Sequence, residues 1–198
     1  MGLELNYIEG QTPIDEDEKE ALKIKTITTI RELNEFEQLN IEKAVEWAMG
    51  RKFTTDKILT EEFAKELHKK MFDDVWKWAG IFRNSNKTLG VDKFQIGIIL
   101  KNLLDDCKYW IVNKSFSEDE IAVRFSHRIV SIHPFTNGNG RHSRLIADIL
   151  VSNGFGRPPF SWGSNNLTDK GEARSKYLKA LKDADNFDYK SLIKLARE

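Results

Sequence analysis

The residues best suited to chemistry lie in one stretch, His133 to Arg144, which reads HPFTNGNGRHSR. His133 carries the side chain best able to accept a proton near neutral pH. The run GNG, residues 138–140, leaves backbone N–H groups open to a ligand, and the helix predicted to follow adds its positive dipole end. Arg141 lies three positions before Arg144, so both guanidinium groups can bind phosphate oxygens. This order of residue types indicates a phosphate site beside a base.

Two predicted helices position this stretch. Ser117 opens the first helix, with Glu120 completing a capping box, and its apolar residues follow at helical spacing up to Ile132. The second helix begins near Asn139 and ends by Gly154, a residue type common just beyond a helix. The sequence therefore predicts a helix-loop-helix unit with His133 at the mouth of the loop.

The stretch resembles the motif of the Fic family, HPFx(D/E)GNGRxxR, and departs from it only at Asn137, where the family usually has Asp or Glu. The resemblance implies an all-α fold, a Fic-type helical bundle with a small β-hairpin flap beside the active site. The flap falls on NSNKTLGVDKFQ, residues 84–95. We expect an N-terminal extension over residues 1–27 and a single Fic domain over residues 28–198.

The resemblance also implies an activity. A protein of this family is expected to be a protein adenylyltransferase (AMPylator) that moves AMP from ATP to a Ser, Thr or Tyr hydroxyl of a target protein. His133 is the expected catalytic base. The residues expected to bind ATP and its phosphates are Asn137, Gly138, Asn139, Gly140, Arg141 and Arg144. Mg²⁺ or Mn²⁺ is expected with ATP, and Asn137 is a weak metal ligand because an amide offers one neutral oxygen.

Two further residues are candidates for control and for base recognition. Thr28 and Glu32 match the start of the family's inhibitory pattern (S/T)xxxE(G/N), which places a candidate inhibitory helix near residues 28–40. The glutamate of that pattern pairs with the second motif arginine, here Arg144; the alternative is a solvated glutamate beside a capping threonine. Tyr177 is the candidate adenine wall, or else an aromatic residue at the edge of the core.

Composition excludes several classes of protein. The 198 residues, 40% of them hydrophobic, are enough for one well-packed domain. Lys plus Arg and Asp plus Glu each number 31, so no overall field favours nucleic acid or an anionic membrane. The single cysteine, Cys107, is typical of a buried thiol in a reducing compartment. Without a signal-like or membrane-spanning apolar run, we expect a cytoplasmic protein.

Alternatives to protein AMPylation stay open. One is a weakly active or inactive nucleotide-binding regulatory module of a toxin-antitoxin-like pair, and another is a Fic enzyme that transfers a different phosphate-containing group. The motif, the chain length and the segment NKTLGVDKF resemble the bacterial Fic subgroup called mobile mystery protein B. That resemblance implies a small helix-turn-helix protein as a partner.

Overall fold

Helices carry almost all the regular structure in the residues that the computed structural model describes, which are 19–163, 167 and 171–198. The all-α prediction is confirmed. The α-helices of these residues are α1 (Ile30–Met49), α2 (Thr55–Ile58), α3 (Glu61–Phe72), α4 (Ile96–Val112), α5 (Glu118–Ile132), α6 (Asn139–Ile149), α7 (Glu172–Asp185) and α8 (Lys190–Arg197). None of these helices is long and apolar enough to cross a membrane. Most of the predicted extension, residues 1–18, lies outside the described part of the chain.

Hydroxyl side chains start four of these helices. The N-cap residues each adopt an extended backbone conformation and accept a hydrogen bond from the N–H group three residues later, and they are Thr29, Thr54, Thr60 and Ser117. Each hydroxyl thereby satisfies one of the N–H groups that the first turn of a helix leaves without a partner. The cap at Ser117 is the one that the sequence analysis predicts.

Helix α1 packs on α3 through a stripe that is partly polar. The buried residues of the stripe recur at helical spacing, and they are Leu33, Glu37, Asn40, Ala44 and Ala48. Asn40 donates to Lys70 O at 2.9 Å and accepts from Asp74 N at 2.9 Å. Its side chain therefore fixes α1 against the end of α3, because both of its polar atoms bind the main chain there.

Residues 84–95, called the flap from here on, do not form the predicted β-hairpin. The flap is an irregular loop that ends in a 3-10 turn, Lys93–Gln95. Asn86 donates to the Asp92 carboxylate at 2.9 Å and accepts from Lys93 N at 2.8 Å. These side-chain bonds satisfy groups that a strand ladder would otherwise bind, which is why this loop needs no paired strands.

The centre of the bundle is the pair α5 and α6, which holds the HPFTNGNGRHSR stretch between its helices. Helix α6 continues into a π-helical turn, Leu150–Gly154, so the helical run ends where the sequence predicts. Arg197 on α8 binds the Asp119 carboxylate through Nε at 2.9 Å and the carbonyl of Pro158 at 2.7 Å. The C-terminal helix is thereby tied to the first turn of α5. The predicted helix cap at Thr168 lies outside the described residues.

Candidate active site

His133 ends α5 in the left-handed backbone conformation, with φ 55° and ψ 59°. Its ring Nδ1 lies 3.2 Å from the carbonyl oxygen of Val130, so Nδ1 carries the proton and Nε2 is the basic nitrogen. Burial, with a smaller contribution from the positive charges of Arg83 and Lys87, lowers the pKa of His133 from 6.5 to about 4. The imidazole is therefore neutral at physiological pH and can accept a proton.

The loop after His133 is held by Phe135 and Asn139. Phe135 is fully buried, and its ring stacks on the His68 imidazole with 3.7 Å between centroids. The Asn139 amide accepts from Phe135 N at 2.9 Å and donates to Phe135 O at 2.8 Å. The Asn139 side chain therefore stabilises the loop, and its main chain is the part that can face a ligand.

His68 supports the same loop from α3, and the sequence gives no sign of this role. Its Nδ1 accepts the N–H of Gly80 at 2.9 Å, which leaves Nε2–H to donate to the carbonyl of Asn137 at 3.0 Å. Burial lowers the pKa of His68 well below its ordinary value, so the ring stays neutral and keeps both bonds. His68 is thus a structural support and does not act as a second base.

The N-terminus of α6 has the geometry and charge that favour an anion. Gly138 has φ +77°, and a Cβ atom there would lie 2.4 Å from the Phe72 ring, so the position requires glycine. The main-chain N–H groups of Asn139, Gly140 and Arg141 belong to the first turn, where an α-helix offers them no internal acceptor. These groups and the helix dipole favour a phosphate oxygen at this end.

Asn137 does not complete a metal site. Its Oδ1 accepts the N–H of Gly138 at 2.6 Å, and an amide oxygen carries no charge to offer a hard cation. Among the described residues, no group of three or more His, Cys, Asp or Glu side chains could hold a metal ion. The residues present therefore do not fit a metal bound by the protein alone.

Arg141 is held by Glu37, a residue that the sequence analysis did not identify. The Glu37 side chain, in a residue only 4% exposed, accepts from Arg141 Nη1 at 2.6 Å and from Trp76 Nε1 at 2.6 Å. The guanidinium group also lies over the Phe72 ring, 4.9 Å from its centroid. The sequence feature that could have identified Glu37 is an acidic residue at a buried position of α1, because a carboxylate is rarely buried without a partner.

Glu32 does not meet Arg144, contrary to the inhibitory contact considered from the sequence. Its carboxylate accepts the N–H groups of Thr28 at 2.9 Å and Thr29 at 3.1 Å, which closes a capping box at its own helix. Those main-chain hydrogen bonds lower the pKa of Glu32. The Glu32 carboxylate is thus engaged at the start of α1, which is the capping alternative.

Arg144 and Tyr177 lie together on the far side of the site. The Arg144 guanidinium stands over the Tyr177 ring at 5.1 Å from its centroid, and it forms no ion pair with any residue in the described ranges. Tyr177 is buried and also packs edge-on against Trp162, with 6.4 Å between the ring centroids. The adenine-wall role of Tyr177 stays a prediction, since the ring now contacts these two side chains.

Comparison with known proteins places this geometry in a family. Residues 58–151, which include the entire His133 to Arg144 stretch, match the model of the Fic/DOC family. Over this segment the chain is similar to a Fic domain. A Fido domain-containing protein of Dictyostelium discoideum is 35% identical over 97 residues, 49% of this chain and 59% of that relative. The chain thus spans about three fifths of the length of the curated relative it matches.

Solved Fic structures share the fold over most of the chain. Fic-1 of C. elegans, residues 134–508, is 22% identical with a TM-score of 0.65 and covers 88% of this chain and 50% of its own. An N-terminal Fic domain of a Bartonella quintana effector, with bound ADP, is 16% identical with a TM-score of 0.64 and covers 87% and 86%. At these identities the likeness establishes the fold alone.

The predicted site residues separate into two groups in the structure. The stretch from His133 to Arg144 comes together as one loop and one helix N-terminus. Glu32 lies at the start of α1, where it caps the helix. Tyr177 contacts one residue of the stretch, Arg144, whose guanidinium group lies over its ring. The structure adds Glu37 to the site, together with the supporting ring of His68.

Proposed function

We propose that this Fic domain transfers AMP from ATP to a hydroxyl group of a target protein. One observation carries the proposal: a neutral, buried His133 lies five residues before Gly138, the loop glycine that opens the anion-binding helix. Members of the Fic family typically transfer AMP or a related group onto proteins, and the Bartonella quintana relative binds ADP. The chemistry of a base beside a phosphate site fits such a transfer.

Each reaction step has a residue suited to it. Nε2 of His133 takes the proton of the attacking hydroxyl while the hydroxyl oxygen forms a bond to the α-phosphorus. The bond from that phosphorus to the bridging oxygen breaks, and pyrophosphate leaves with the bonding electrons. N–H groups of Asn139 and Gly140 stabilise the charge that develops on the α-phosphate oxygens.

The two arginines take different parts in this proposal. Glu37 already binds one nitrogen of Arg141, so Arg141 presents a fixed guanidinium edge to the phosphates. Arg144 lies over the Tyr177 ring instead, so turning toward the γ-phosphate breaks a weaker contact and costs less free energy than it would for Arg141. A divalent ion such as Mg²⁺ would come with ATP, and of the protein side chains here Asn137 offers it only a neutral oxygen.

Intact-mass spectrometry after incubation with ATP and Mg²⁺ or Mn²⁺ tests the proposal through self-modification. We expect an AMP-sized gain that His133→Ala abolishes. His127→Gln is the matched control, because His127 lies on the same helix but binds Asp185 at 2.8 Å outside the site. A phosphate-sized gain would instead indicate transfer of the γ-phosphoryl group.

The absence of any mass gain, even in Asn137→Asp, would overturn the transfer proposal. Binding of ATP without transfer, measured by calorimetry, would then favour a nucleotide-binding regulatory module. We also propose that the chain is a member of the mobile mystery protein B subgroup, which implies a small helix-turn-helix protein as a partner. A stable complex after co-expression with such a protein, seen by size-exclusion chromatography, is the expected result, and separate elution would reject the partner.

A further inference from the structure

Arg83 is a buried cation that binds only main-chain oxygens. The residue is 3% exposed, and its Nε donates to His133 O at 2.7 Å. Its Nη1 donates to Ser85 O at 2.8 Å, and its Nη2 donates to Val91 O. No carboxylate in the described part of the chain forms an ion pair with it. Three main-chain carbonyls therefore stabilise the charge, two of them in the flap and one at the candidate base, and the Asp92 carboxylate adds a longer-range attraction.

Further contacts join the same segments around His133. Arg83 N donates to Pro134 O at 3.0 Å, and Val91 N donates to Ile132 O at 3.2 Å. Gly90 has φ +101°, and a Cβ atom there would lie 2.5 Å from the His133 Cβ. Arg83 and the flap together thus touch residues 132–134, and the Arg83 side chain bonds both the flap and His133.

The backbone of His133 needs such support. A residue with a Cβ atom is strained in the left-handed conformation, and it persists there only where its surroundings impose it. The His133 carbonyl, whose direction depends on that conformation, points at Arg83 Nε. If the carbonyl turned away, the cation would lose a partner while still buried, so the two features stabilise each other.

We propose that Arg83 is a positioning residue that couples the flap to His133: its bonds to the main chain of both fix the base and the flap as one unit. The inference rests on the proposed role of His133 as the base and goes beyond it. Because the flap contacts His133, it borders any hydroxyl that reaches this base. Arg83 therefore sets the distance between the position of the target and the base.

Arg83→Met tests the inference, because it keeps the apolar stem and removes all the side-chain donors. We expect hydrogen exchange in residues 84–92 to become at least about 10- to 100-fold faster, since one charge-assisted hydrogen bond accounts for that factor and the variant removes all three. Arg83→Lys should recover part of the protection. Lys93→Met is the matched control, since Lys93 Nζ binds Asn84 O at 2.7 Å in the flap without reaching residues 132–134.

The second readout is the imidazole of His133, followed by NMR titration. In Arg83→Met we expect its pKa to rise toward the ordinary value of histidine, because the ring loses both burial by the flap and a positive neighbour. Lys87, the other cation that lowers this pKa, is unchanged in the variant. Exchange and imidazole signals that match those of Lys93→Met would overturn the inference.

Gly90→Ala keeps the test decisive if Arg83→Met fails to fold. A methyl group there must displace the flap from His133, so the same faster exchange and raised pKa are expected with Arg83 intact. Unchanged signals in a folded Gly90→Ala would refute the coupling. In transfer assays Arg83→Met should lower kcat and leave KM for ATP unchanged. If the wild type transfers nothing, the proposed function fails, while the exchange and NMR results still decide the role of Arg83.

Discussion

The ion pair between Glu37 and Arg141 should stabilise the protein far more than a pair of the same length at the surface. The test is a double-mutant cycle with Glu37→Gln and Arg141→Met. In Glu37→Gln the amide oxygen can still accept from Trp76, but the amide N–H₂ would face the guanidinium group, donor against donor. Arg141 would then keep a charge without a counterion in a half-buried position.

The magnitude follows from burial. The two side chains are 5% and 24% exposed and their atoms lie 2.6 Å apart. Breaking a fully buried pair typically costs about 3–5 kcal/mol, and partial exposure of Arg141 reduces this, so we expect a coupling energy of about 2 kcal/mol. The Lys43–Asp74 pair is the control: it lies 2.7 Å apart and starts from the same helix, but it is 69% and 56% exposed. Its coupling should stay below about 0.5 kcal/mol.

Urea unfolding followed by tryptophan fluorescence measures both cycles. The free energy of unfolding comes from the wild type, the two single variants and the double variant of each pair. Equal coupling energies for the Glu37 and Lys43 pairs would refute the reasoning, because burial would then not govern the strength of the pair. A stabilised Glu37→Gln variant would refute it as well.

Two further results are expected. Burial lowers the pKa of His142 from 6.5 to about 4, so the unfolded chain takes up a proton first as the pH falls. The free energy of unfolding, measured by urea titration, should therefore fall from pH 7 to pH 5 in the wild type. In His142→Gln this fall should be about 2 kcal/mol smaller. An equal fall in both proteins contradicts the prediction. Thr29→Ala should cost about 1 kcal/mol of unfolding free energy. Glu32→Gly should leave the affinity for ATP, measured by calorimetry, within about twofold of the wild type, because Glu32 caps its own helix and does not touch Arg144. A larger change would support the inhibitory hypothesis.

Local signals predicted the helices well. Ser117 was identified as a cap because a capping bond depends on residues three apart in the chain. The flap was harder, since its polar, turn-rich composition is compatible with either a hairpin or an irregular loop. The side chain of Asn86 decided between them by binding Asp92 and Lys93, a pattern that pairing rules for strands do not include.

In the site, too, local features were predictable from the sequence and distant contacts were not. The order of His133, the glycines and the arginines within one short stretch indicated a base beside a phosphate site, because neighbours in sequence must be neighbours in space. The partners of that stretch came from distant segments. Glu37 lies 104 residues from Arg141, and Arg83 lies 50 residues from His133, so no local spacing could connect them.

The sequence by itself determined that a helix-loop-helix would present His133 and the N-terminus of α6 together, because periodicity, caps and glycines act over a few residues. Only the tertiary structure decided which acid binds which cation. Glu32 and Glu37 sit five residues apart on α1, yet one caps its own helix and the other is buried against Arg141. A buried charge must find a partner, and the packing of α1 on the rest of the bundle selects that partner.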